Sequence, residues 1–270
     1  MQIKSAKRIA LVELLAVLAP DSSKKTLKTW IEKGRVSVDE KIAKRADQIV
    51  EEGQMVLVGE KRLSLKSGLI IVYEDRDLIV VDKPAGLLSV ATVKEGFQTA
   101  HAILKRNYPK RNVIPIHRLD KDTSGLLVFS CHEKARADLK RQLERREIHR
   151  EYRARVHGDP GKGTWRCFLL EDARLFIRLS TPSKGKEAIT HYEMIKRGKR
   201  TTLIKCTLET GRKHQIRVQA AEAGCPIVGD SKYGQEGDLA KRLHLHAVEL
   251  SFLHPISRKL MRFSSRAPFE

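Results

Sequence analysis

"HRLDKDTSGLLVFS", His117–Ser130, crowds one imidazole, two cations and two carboxylates into six residues before a glycine and an apolar run. The run reads as a strand over 126–130, and a core strand has no need of so dense a charged lead-in. The lead-in therefore reads as chemistry carried at the end of a sheet strand. Asp120 and Asp122 make a poor glycosidase pair, because acids two residues apart on extended chain point to opposite sides. On a turn, Asp122 with Thr123, Ser124 and Gly125 is backbone-capping material instead. Two acids alone also make a weak metal site, and the adjacent Lys and Arg oppose a divalent cation. One reading fits the whole motif. An ionised aspartate held among cations is a nucleophile or charge stabiliser aimed at an electron-poor carbon, with neighbours able to contact phosphates.

The charge of the whole chain agrees with such neighbours. Lys+Arg 53 against Asp+Glu 33 gives a net +20 over 270 residues, and the usual physical use of such an excess is attraction to a polyanion. Residues 1–62 hold thirteen Lys/Arg and nine Asp/Glu, a net of +4, so the remaining 208 residues carry +16. The larger part must itself face the polyanion. Aromatic residues are 5% of the chain, which argues against broad base-stacking platforms. Cys131, Cys167, Cys206 and Cys225 form no C-x-x-C pair, so neither a zinc knuckle nor a disulfide framework is expected. His244 and His246 share a strand face as metal ligands can, but without a third ligand they read as core or hydrogen-bonded histidines. No Gly-rich phosphate loop and no nucleophilic Ser or Cys with a companion set is present.

"MQIKSAKRIALVELLAVLAP" opens like a signal peptide, yet Glu13 falls inside its apolar stretch. An amphipathic first helix explains Ile9, Leu11, Val12, Leu15 and Leu18 equally well. No stretch reaches the length of a membrane span, and a cytoplasmic location with no membrane partner is expected. Asp21, Ser22 or Ser23 can cap a second helix carrying Leu27, Trp30 and Ile31, with Gly34 as its C-terminal cap. "RVSVDEKIA" reads as a short strand and tight turn, and "GQMVLV" as a strand. Beyond residue 62, "GLIIVYEDRDLIVVDKPAGLL" holds two apolar β-branched runs and a breaker. A helix is expected near 97–106 and another over 132–146. In "IHREYRARVHG", Ile148, Arg150, Tyr152, Ala154 and Val156 share one strand face. Residues 158–187 read as loop with a short hairpin. Strands follow near 188–195 and 202–208, then a helix over 212–223 ended by Gly224, and a late strand over 244–252. Hairpins and helices are mixed rather than alternating. The expected fold is α+β: a mixed, mostly antiparallel sheet domain over 63–270 behind a small α/β domain over 1–62.

Two resemblances sharpen this. Residues 6–58, with Gly34, Val36, Val38 and Gly53 after a basic helix, resemble the small RNA-binding domain of the S-four type. The resemblance implies that Lys24, Lys25, Lys28 and Arg35 contact phosphate, which fixes position rather than reads sequence. "HRLDKDTSGLLVFS" resembles the hallmark of the RluA-type pseudouridine synthases. "VVDKPAGL" (80–87), "EYRARVHG" (151–158), "LETGRKHQIRVQAAEAGCPIVGDSKYG" (208–234) and "LHAVELSFLHP" (245–255) match in that family's order.

By this resemblance Asp120 is the catalytic aspartate, acting on the sugar or ring of a uridine so that the base detaches, turns and rejoins through carbon. Arg217 is the arginine that pairs with it, and Tyr152 lies against the target base. Arg118 fills the space left by the flipped nucleotide, with His117 beside it at the RNA. No metal and no organic cofactor is implied. The partner implied is RNA, leaning to large-subunit ribosomal RNA with transfer RNA open, and a monomer is expected. Arg150 stands where a lysine is common, Lys213 and Gln219 depart from the usual residues, and "LSVATVKEG" lacks the common His-Pro after "KPAGL". These departures bear on substrate rather than on activity class. The competing readings are a non-catalytic RNA-binding or ribosome-assembly protein that kept the fold, and a metal-dependent nuclease, for which the sequence offers no adequate ligand set.

Overall fold

The computed structural model describes residues 1–270 apart from 33–34, 40, 60–62, 66, 92–97 and 174. The cap expected at Gly34 and the segment after Ala91 lie outside the described residues. The chain divides into two units, Met1–Lys66 with Ile70–Tyr73, and Ser67–Leu69 with Glu74–Glu270. Among the described residues no helix is long and apolar enough to cross a membrane.

The first unit runs β1 (Gln2–Lys4), β2 (Ile9–Ala10), α1 (Leu11–Leu18), α2 (Lys24–Glu32), β3 (Val36–Val38), β4 (Lys41–Ile42), β5 (Ile49–Val50), β6 (Met55–Val58) and β7 (Leu63–Ser64), and most of β8 (Ile70–Glu74) belongs to it. Its sheet order is β1-β6-β3-β4, with β2 and β5 paired separately. The periodic apolar residues do what their spacing predicts: Leu11, Leu15, Leu27, Ile31, Val36 and Val56 are buried in one core. Glu13 sits in the first turn of α1, where a carboxylate suits the helix dipole. Of the three cap candidates, Ser23 serves α2, its hydroxyl accepting from the Thr26 amide at 3.2 Å.

The second unit continues with β9 (Leu78–Lys83), α3 (Ala100–Asn107), β10 (Ile114–Pro115), β11 (Ser124–Ser130), α4 (Glu133–Glu144), β12 (His149–His157), β13 (Lys162–Glu171), β14 (Ile177–Ser180), β15 (Lys186–Arg197), β16 (Thr201–Leu208), α5 (Gln215–Glu222), β17 (Leu245–Leu253) and β18 (Leu260–Ser264). Its sheet runs β14-β13-β15-β16-β12-β17-β11-β9. Every neighbouring pair in that order is antiparallel except β11 and β17, which run parallel through Ser124↔His246 and Gly125↔Ala247. The mixed, mostly antiparallel sheet expected from the sequence is therefore present.

Residues 158–187 need correcting. They hold a ten-residue strand, β13, and the shorter β14, rather than loop with a short hairpin. The glycines there mark close approach, not irregularity: a Cβ on Gly163 would lie 2.7 Å from the Tyr192 hydroxyl, and one on Gly185 2.9 Å from the Cβ atoms of Phe168 and Ser180.

Strand β11, carrying the apolar half of the opening motif, is buried at every residue. Gly125 begins its central course with φ +114°, and a Cβ there would meet the Ala247 carbonyl oxygen at 2.3 Å. Only glycine allows β17 so near. We expect Gly125→Ala to destabilise the protein by about 1–3 kcal/mol or more, read as a lower midpoint in urea with unchanged slope.

Candidate active site

Asp120 lies in the loop between β10 and β11, and the residues on both sides of it are fastened. The Leu119 carbonyl accepts from Ser89 Oγ at 2.7 Å, and the Leu119 amide donates back to that hydroxyl at 3.0 Å. The Lys121 carbonyl accepts from the Gly86 amide at 2.9 Å and from Lys83 Nζ at 3.1 Å. Lys83 is fully buried and also donates to the carbonyls of Pro84 and Leu87 at 2.9 and 2.7 Å. Three acceptors suit the three N–H bonds of an ammonium, although burial pulls its pKa down to about 7 against the nearby Asp120 and Asp122 carboxylates. "VVDKPAGL" thus serves as the clamp under the aspartate.

The Asp120 side chain is 17% exposed. Burial raises its pKa above the ordinary carboxylate range, while the Arg217 charge, a hydrogen bond from the His214 amide, and then Arg118 and Lys83 hold it down. His214 takes the left-handed conformation, φ 54°, immediately before α5, which brings that amide to Asp120. Its ring stands 4.0 Å from Asp120 Oδ1 and is hydrogen-bonded through Nδ1 to the Tyr233 hydroxyl at 2.9 Å. Burial and the cations Arg217, Lys232 and Lys213 push His214 down to about 3, so it faces the aspartate as a neutral imidazole.

Arg217 does not hydrogen-bond to Asp120. It forks onto Asp230, Nε to Oδ2 at 2.8 Å and Nη2 to Oδ1 at 2.6 Å, with both side chains essentially buried. This corrects the expectation of a direct pair. Asp230, turned inward by its own bonds from the Lys232 and Tyr233 amides at 2.9 and 3.0 Å, neutralises and aims the guanidinium. Burial lowers and Asp230 raises the Arg217 pKa, and the result is a raised one. Arg217 reaches Asp120 through charge alone.

Tyr152 comes from β12 and is 6% exposed. The pairing of β12 with β17 shifts register between Glu151 and Tyr152, a bulge of the kind that re-aims a side chain beside a site. Burial, with Asp120 adding and Arg150 opposing, raises the phenol to about 12, so its hydroxyl keeps its proton. Asp120, Tyr152, Arg118 and His117 all line one cleft of about 570 Å³, and Arg217 is not among the residues that line it. Arg118 is exposed at the cleft.

On the first unit, Lys24, Lys25 and Lys28 are exposed on α2. Arg35 is committed to its own domain, donating through Nε and Nη2 to the Gly59 carbonyl at 3.1 Å each and lying 4.8 Å over Trp30. His246 is hydrogen-bonded at both nitrogens, to Ser124 at 2.7 Å and Ser265 at 2.9 Å. One trio among the described residues, Asp75, Asp77 and His254, gathers ligand-type atoms. However, His254 Nδ1 accepts amide hydrogens from Ile256 and Ser257 at 3.2 and 3.1 Å. The ring proton then sits on Nε2 and points at Asp75, 2.9 Å away, so this imidazole donates where a metal ligand would offer a lone pair.

Lys83, His214 and Asp230 were not singled out as site residues, although each lies inside a motif already quoted. Their signal is positional: each sits within five residues of a motif glycine or arginine, but only the fold shows what it touches.

Comparisons with known proteins show the family and support the fold. Residues 77–222 match the family model described as RNA pseudouridylate synthase, and residues 11–56 match the S4 domain. A protein of Xanthomonas campestris named ribosomal large subunit pseudouridine synthase D is 35% identical over 280 residues, covering 94% of this chain and 84% of its own. Its namesake from Neisseria meningitidis serogroup B is 35% identical, covering 94% and 75%. The solved structure of human RNA pseudouridylate synthase domain containing 1 superposes with a TM-score of 0.63 at 24% identity, covering 76% of this chain and 85% of that one, which supports the fold. An aspartate loop clamped at the end of a sheet strand is thus embedded in a chain whose larger unit is matched, for more than half of the whole length, by a single family model. The protein belongs to the RNA pseudouridylate synthase family.

Proposed function

We infer that this protein isomerises uridine to pseudouridine in large-subunit ribosomal RNA, with Asp120 as the catalytic carboxylate. The isomerisation breaks the bond from ribose C1′ to N1 and makes one from C1′ to C5; the hydrogen lost from C5 is balanced by one gained at N1, so mass is unchanged. The observation that carries the reading is the common cleft, which opens a buried carboxylate, a protonated tyrosine and an exposed arginine to one substrate. Its size fits a single nucleotide and not a duplex, so the uridine must leave its stack, at a cost of roughly a few kcal/mol. Arg118, exposed beside Asp120, is suited to take the vacated place. Tyr152 offers a ring face for the base, and Asp120 acts on sugar or ring while Arg217, the His214 amide and Lys83 stabilise its anion. The front unit presents Lys24, Lys25 and Lys28 for phosphate.

The choice of ribosomal RNA rests on relatives whose names specify the large subunit. Mapping pseudouridine in RNA from cells with and without the gene tests it. The expected result is loss of the modification at one or a few large-subunit positions, restored by the purified protein acting on a transcript of that region. Intact ribosomal sites together with a lost transfer-RNA site would overturn the substrate assignment.

A further inference from the structure

Arg150 is a cation in an unusual setting. It is 6% exposed, and among the described residues it makes no ion pair and no hydrogen bond, its Nε being buried without a partner. A guanidinium placed this way costs free energy. Other cations near the cleft are differently employed: Arg146 is paired with Glu209 at 2.6 Å and Lys213 with Glu171. His117 Nε2 is likewise buried without a partner. Burial, then the charge of Arg150 and of Lys140, pushes His117 down to about 3, so it offers a neutral ring beside that cation. Both residues line the same cleft as Asp120 and Tyr152. Both unpartnered atoms are buried on side chains that line one cavity, where a ligand can supply the partner each lacks.

We propose that Arg150 and His117 form the subsite that grips the hydrogen-bonding edge of the target uracil, Arg150 donating to a ring carbonyl and His117 accepting from N3–H. This rests on the uridine-isomerase reading above and deepens it. Arg150 and Tyr152 are two residues apart on one strand face, so their side chains rise about 6–7 Å apart, and a pyrimidine lying on the tyrosine ring extends its edge to the guanidinium. A guanidinium has only donors. Uracil answers with the acceptor at O4 beside the donor at N3, whereas cytosine shows the reverse pair, an amino donor beside a bare N3. The subsite therefore admits uracil and repels cytosine. The same contacts suit the turn of the detached base. Exchanging C5 for N1 rotates the ring about the axis through N3 and C6, so N3–H stays in place and O2 replaces O4 at Arg150. A phosphate is the other possible acceptor, but it stays ionised and hydrated at the mouth, where Arg118 and Arg212 are exposed.

The test is single-turnover isomerisation on a transcript containing the mapped uridine, with Kd and its salt dependence measured in parallel. Product from the parent protein establishes the isomerase reading independently; its absence defeats that reading rather than this one. Arg150→Met should then slow turnover by roughly 10- to 100-fold with Kd and salt slope unchanged. Gly211→Ala gives the second arm, because its Cβ would come 2.7 Å from Arg150 Nη1 and shift the guanidinium while keeping its charge. It should slow turnover by roughly 10-fold, and it decides the matter if Arg150→Met fails to fold. Replacing the target with 3-methyluridine should cost the parent protein as much as Arg150→Met does. Parent-like turnover in Gly211→Ala and on the 3-methyl substrate would overturn the subsite. So would an Arg150→Met defect confined to Kd with the salt slope reduced by about one charge, which marks a phosphate contact.

Discussion

Asp120→Ala should bind its RNA within about threefold of the parent affinity and lose isomerisation by at least about 10⁴-fold. The carboxylate repels phosphate, so its removal takes nothing from binding, while on the proposed function the reaction loses its catalytic carboxylate. Gel-shift or fluorescence titration with a mass-neutral isomerisation assay on the same preparations checks both halves, and near-parent turnover would contradict the assignment. The parent's pH profile carries a linked expectation. On the proposed function the anion is the reacting form, and burial raises the Asp120 pKa, so the acid limb of kcat/KM should fall above the ordinary aspartate value of ~3.9. Stability runs the other way. Between the unfolded and the raised folded pKa, the folded protein binds more protons than the unfolded chain, so stability declines as pH rises through that window. Asp120→Asn escapes that decline and should melt no lower than the parent at neutral pH.

The second large effect belongs to a residue that never touches the cleft. Asp230→Ala leaves Arg217 buried, 2% exposed, with its fork unpaired, and breaking a buried pair from one side costs about 3–5 kcal/mol. The released guanidinium no longer faces Asp120 in fixed geometry, so activity should fall even in the fraction that folds. The double variant Arg217→Met with Asp230→Leu separates the two losses. Replacing both partners by apolar side chains should restore most of the stability and leave activity low, because Arg217 is the foremost charge opposing the burial that raises the Asp120 pKa. Chemical denaturation and turnover on the same samples provide the check. Restored turnover in the double variant would show that Arg217 serves the fold alone.

The pair of Arg217 and Asp230 is only half legible in the sequence. Arg217 stands in the contiguous "GRKHQIR", but its partner stands thirteen residues on, after a helix and a turn. Nothing in one chain's spacing says that those two carbons converge. Asp120, Tyr152, Arg118 and His117 were legible together because two short motifs hold all four, and the sheet brings those motifs to one cleft. The strand bearing Tyr152 was legible for a simpler reason: its alternation is clean, and Arg150, Tyr152, Ala154 and Val156 are buried as read. In β13 the opposite happened. Lying next to the edge strand β14, it leaves Lys162, Thr164 and Arg166 outward and packs Gly163 under Tyr192, so a real strand resembled loop. Arg150 lay in plain view as a departure from the family pattern, but its lack of any partner could be seen only in three dimensions.

On this mechanism one uridine enters the cleft and meets Asp120, and a crystal structure of the Asp120→Asn variant bound to its RNA target checks it. The target base should lie against Tyr152, with its C1′ beside residue 120 and Arg118 standing in the vacated stack. A target uridine still paired within the helix, or lodged away from residues 120 and 152, would contradict it.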